Sequence, residues 1–61
     1  MSPRLQAITI VANHYHVSRG LTPVAAERTA LRRVREWSPH SVARFLALVH
    51  ATAAQANREA A

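Results

Sequence analysis

The sequence predicts a small all-α domain of three helices that completes its core by pairing with a second copy. Three observations lead there. Ser2-Pro3, Thr22-Pro23 and Ser38-Pro39 each set a hydroxyl residue before a proline. This is the signature of a helix start, since the hydroxyl accepts an orphan amide hydrogen and proline has none to leave unsatisfied. The segments that follow carry apolar residues at helical spacing, and the single glycine, Gly20, stands where a break is needed. Finally, 61 residues without cysteine cannot be stapled by a disulfide or a thiolate metal site, and so short a chain buries only about 60% of its unfolded surface. Of its apolar residues 13 are Ala and 17 are larger. A second copy of the chain is the expected source of the missing burial.

The first helix is expected over about residues 3–16. Leu5, Ile8, Val11, Ala12 and Tyr15 share an arc of about 120°, leaving Ile10 on the far side. Ile8-Thr9-Ile10-Val11 is also a run of β-branched residues that reads as a strand. A lone strand needs a partner that only another copy supplies, as in the ribbon of ribbon-helix-helix proteins, and the helix is preferred. Val17 to Leu21 is then the connecting loop.

The second helix is expected over about 23–37. Ala26, Ala30, Val34 and Trp37 form an apolar arc into which Leu31 extends, while Arg28, Arg32 and Arg35 gather within about 60° on the other side. Trp37 stands at the turn into the third helix, placed to seal that junction.

The third helix is expected over about 39–56. Val42, Phe45, Leu46, Val49, Ala53 and Ala56 fall within an arc of about 100°, with Leu48 and Arg44 outside it. The tail from Ala51 onward holds no large side chain, which predicts fraying. Trp37, Val42, Phe45, Leu46, Leu48 and Val49 are the candidate core and homodimer interface. The whole chain, 1–61, reads as one domain.

Charge narrows the function without fixing it. All eight basic residues are Arg, all three acids are Glu, and the formal net charge is +5. Such a surface favours anionic partners. No apolar run reaches the roughly 18 residues of a membrane span and no signal peptide opens the chain, so a cytoplasmic setting without membrane contact is expected. A cationic segment lying on a membrane ranks low, because the Arg stripe and the best apolar stripe belong to different helices.

The histidines do not make a metal site: His14 and His16 point about 200° apart on a helix, and no carboxylate or thiolate completes a set with His40 and His50. Ser38 and His40 lack a third member for a catalytic triad, and one glycine cannot build a phosphate-cradling loop. Neither an enzyme nor a cofactor is expected.

The stretch Val11-Ala12-Asn13-His14-Tyr15-His16-Val17-Ser18-Arg19-Gly20 resembles the first helix and turn of helix-turn-helix regulators, with a small residue followed five positions later by Val-Ser-Arg. Ala30-Leu31-Arg32-Arg33-Val34 resembles the later part of their recognition helix. The resemblance covers about 24 residues and departs at His16, where glycine is usual, and at Pro23, where the second helix should already be running. It implies duplex DNA as the partner, transcription regulation as the role, Ser18 and Arg19 against phosphate or bases near the turn, and Arg28, Arg32 and Arg35 along the groove. The competing expectation is an adaptor or inhibitor that lays an apolar helix face on another protein, drawing on the third helix and on Ile10 and Leu48.

Overall fold

In a computed structural model, described over residues 1–60, the chain forms α1 (Pro3–Arg19), α2 (Pro23–Val34) and α3 (Pro39–Ala60). No strand occurs among the described residues, so Ile8 to Val11 are helical. All three hydroxyl caps form. Ser2 Oγ accepts from the Leu5 amide at 3.1 Å, Thr22 Oγ1 from Ala25 at 3.2 Å, and Ser38 Oγ from Ser41 at 3.1 Å.

The helix ends differ from the expected ones for local reasons. The first helix runs to Arg19 rather than stopping near residue 16, because Gly20 is the first residue able to take the left-handed conformation that ends it, φ 70° and ψ 16°. The Gly20 and Leu21 amides both turn back to the Tyr15 carbonyl. His16 closes the turn by donating from Nδ1 to the Leu21 carbonyl at 2.7 Å, which fixes the proton on that nitrogen.

The second helix stops at Val34, short of the expected 37. Pro39 drives the residue before it towards extended backbone, and the helix ends in a tightened turn in which the Glu36 and Trp37 amides donate to the Arg33 and Val34 carbonyls. Two carbonyls there also accept from a residue far away in sequence, Val34 O in addition to the Trp37 amide at 3.0 Å. Arg4 Nη1 donates to Val34 O at 2.6 Å and Arg4 Nη2 to Trp37 O at 2.9 Å.

α1 is the central element, packed against both neighbours. It runs antiparallel to α2, as the three-residue link and the Arg4 contacts require. Between these two helices the contact is lined by small residues: Ala7, Ala26 and Ala30 are at most 1% exposed. Side chains no larger than a methyl group at these positions let the two backbones approach closely. Val34 completes the seam, and on the other side of α1 the first half of α3 supplies Val42 and Leu46. Ile10, Val11, Tyr15, Trp37 and Phe45 are half-buried around this cluster. Trp37 meets Phe45 edge-on at 5.2 Å between ring centroids, which places it at the junction of α2 and α3.

Several apolar positions correct the sequence reading. Ile10 is not on a far side, because α1 has two neighbours and the α3 flank needs apolar residues too. Leu5 and Leu31 lie at the edges of their arcs and are exposed. Ala53 and Ala56 continue the α3 stripe in register but are exposed with every residue from Ala51 to Ala60, since α1 lies under only the first half of α3. The tail is nevertheless helical to Ala60. Alanine is the strongest helix former, and Gln55 adds side-chain bonds to Glu59 at 3.0 Å and Arg58 at 2.6 Å. No helix of the described residues is long and apolar enough to cross a membrane.

Candidate nucleic-acid interface

The candidate site is the outward face of α2. On a helical wheel Ala26, Ala30 and Val34 span about 80°, and Arg28, Arg32 and Arg35 fall about 165° away on average. The three arginines are exposed. Arg35 lies just past the last assigned helical residue, but its φ of −60° and ψ of −22° keep it on the helical path, so the stripe is continuous. From Arg28 to Arg35 it extends about 10 Å at 1.5 Å rise per residue.

Three other arginines are engaged within the chain, while Arg33 and Arg44 are exposed as the stripe is. Arg4 holds the end of α2, Arg19 lies over the Tyr15 ring at 5.5 Å, and Arg58 donates to Gln55. Among the described residues, none of the side-chain hydrogen bonds involves Arg28, Arg32 or Arg35. These guanidinium groups therefore face solvent with five donors each to offer an anion.

Ser18 and Arg19 are placed elsewhere. Both belong to the last turn of α1, where Ser18 Oγ is 3.4 Å from His14 Nδ1. Arg19 borders a groove between α1 and α3 that includes His14, Tyr15, Phe45 and Val49. The fold brings Arg28, Arg32 and Arg35 together on one face and sets Ser18 and Arg19 at the head of the α1–α2 turn.

Among the candidate apolar residues, Val42 and Leu46 are core, Trp37, Phe45 and Val49 are half-buried, and Leu48 is 65% exposed. Two further residues join the Arg face, Val24, which the sequence reading passed over, and Leu31, which it set beside the buried arc. Val24 is 66% exposed and Leu31 51%, and with Arg28 and Arg35 they fall at positions i, i+4, i+7 and i+11 of one outward row. That spacing was readable in the sequence; Leu31 was drawn instead towards the buried arc.

No group of three or more potential metal ligands occurs among the described residues. Comparison of the chain with protein-family models, curated proteins and solved structures finds no match.

Proposed function

We propose that this chain is a small DNA-associated regulatory protein that binds the phosphates of duplex DNA through Arg28, Arg32 and Arg35. The observation that carries the reading is that these three guanidinium groups lie opposite the buried arc of α2, exposed and unengaged by the side-chain hydrogen bonds of the described residues. A net charge of +5 draws the chain to a polyanion from a distance, and the stripe supplies affinity by releasing counterions. Ser18 and Arg19 add contacts near the α1–α2 turn in this reading. The chain works in the cytoplasm as a pair of copies, without membrane, metal or cofactor.

Fluorescence anisotropy with a labelled duplex over a salt series tests it. With three to five phosphates neutralised, log K falls against log salt with a slope of about −3 to −4.5. Changing Arg28, Arg32 and Arg35 together to Gln abolishes binding and leaves the circular dichroism unchanged. A flat salt dependence, or unchanged affinity of the triple variant, refutes the proposal.

A second reading rests on Val24 and Leu31. Aliphatic side chains alternating with arginine along one exposed row also suit an acidic amphipathic helix of another protein. A chain that ignores duplex DNA at low salt, yet loses a protein partner when Val24 and Leu31 are both changed to Ser, favours this adaptor reading.

A further inference from the structure

The described fold leaves more surface open than its mass calls for. A compact monomer of 6.7 kDa exposes about 3,900 Å² by the scaling of surface with mass, whereas this chain exposes 4702 Å². Its radius of gyration is 12.5 Å, against about 10.5 Å for a compact domain of this length. The excess is about 800 Å², which is one partner's share of a standard stable interface. The half of α3 beyond His50 contributes to it, since every described residue there is exposed.

The same helix carries two shallow depressions beside its core stripe. One is bordered by Trp37, Ser41, Arg44, Phe45 and Leu48, and the next by Leu48, Ala51, Thr52, Gln55, Ala56 and Glu59. Leu48 belongs to both and stands out between them as a single large apolar knob. Ala51, Thr52 and Ala56 are the short side chains of the second depression.

We infer that α3 pairs antiparallel with α3 of a second copy, Leu48 of each chain entering the hollow around Ala51, Thr52 and Gln55 of the other. A two-fold pair requires that residue i meeting j also means j meeting i. A knob and a hollow on one helix meet that condition in both chains at once. The register that sets Leu48 opposite Gln55 also sets Ala51 opposite Thr52 and Arg44 opposite Glu59, so opposite charges meet at both ends of the seam. Parallel pairing brings Arg44 against Arg44 and Glu59 against Glu59, which repel. The inference rests only on the paired-copy part of the proposed function. A monomer that binds duplex overturns the seam and leaves the Arg stripe standing; a dimer that ignores DNA does the reverse.

Sedimentation of the full chain over a concentration series reads the association. The expected result is a species of twice 6.7 kDa that becomes monomeric in Leu48→Arg, with the thermal melt of the monomer retained because Leu48 is exposed there. Arg44→Glu and Glu59→Arg each weaken association about fivefold, and the double exchange restores it. Because the parent has no cysteine, position can be read by cross-linking. A mixture of Ala51→Cys and Thr52→Cys chains oxidises to a covalent dimer, while Ser41→Cys chains stay single. A monomer at every concentration, a dimer indifferent to Leu48→Arg, or equal cross-linking at Ser41→Cys overturns the inference.

Discussion

Replacing Arg4 with Ala should destabilise this protein more than any other single arginine change. Its two guanidinium nitrogens reach the carbonyls of Val34 and Trp37 at 2.6 and 2.9 Å, across 30 and 33 residues of chain. Each is a charge-assisted bond, of a kind worth about 1.5–3 kcal/mol. They also place a positive group at the negative end of α2. Arg4 is half-exposed, so water re-satisfies part of what is lost. The net cost is therefore taken as about 2 kcal/mol, below the sum of the two bonds. Folded domains of this length hold about 3–9 kcal/mol in all. At about 4–8 °C per kcal/mol, Arg4→Ala should melt about 8–16 °C lower than the parent, followed by ellipticity at 222 nm. Arg4→Lys keeps the charge but not the fork, and should recover about half. Arg33→Ala, an exposed change without the same contacts, should stay within about 0.5 kcal/mol of the parent. An Arg4→Ala protein melting within 2 °C of the parent would show that the clasp contributes nothing.

Two further changes probe the α1–α2 hairpin. Gly20→Ala meets open space but must hold a φ of 70°, costing about 1–2 kcal/mol, and Gly20→Asn should cost less; urea midpoints equal to the parent for both would contradict the left-handed turn. Ala30→Leu forces apart two helices that meet through alanine and should cost about 1–3 kcal/mol or more, whereas exposed Ala47→Leu should be neutral, and equal midpoints for these two would refute the close seam.

Local chemistry was the legible part of this fold. Hydroxyl-proline pairs mark all three starts because capping depends only on neighbours within one turn. Arg28, Arg32 and Arg35 could be placed on one face because a helical repeat fixes their bearing. What periodicity does not report is how many neighbours a helix has. Ile10 looked stranded on a one-sided wheel, and finds its place only because α3 packs on the second flank of α1. Nor does it report how far a neighbour reaches: Ala53 and Ala56 keep the α3 register but have no α1 beneath them. The Arg4 clasp joins residues 30 and 33 positions apart, and no local pattern announces it. Ser18 and Arg19 belong to the last turn of α1 rather than to a connecting loop over residues 17–21, because the helix continues until Gly20 takes the left-handed conformation.

The alanine-lined meeting of α1 and α2 bears on how the chain is made. Two helices joined by only three residues can dock from the turn outward, so their first contacts need little loop closure and rank among the fast events of folding. On a ribosome, the pair is complete once Trp37 has emerged and Arg4 has its acceptors. The residues of α3 that cover Ile10, Val11 and Tyr15 arrive later, by on the order of a second at about 5–20 residues per second. For that interval the nascent hairpin displays an uncovered greasy flank, and any chaperone that attends this protein meets it there.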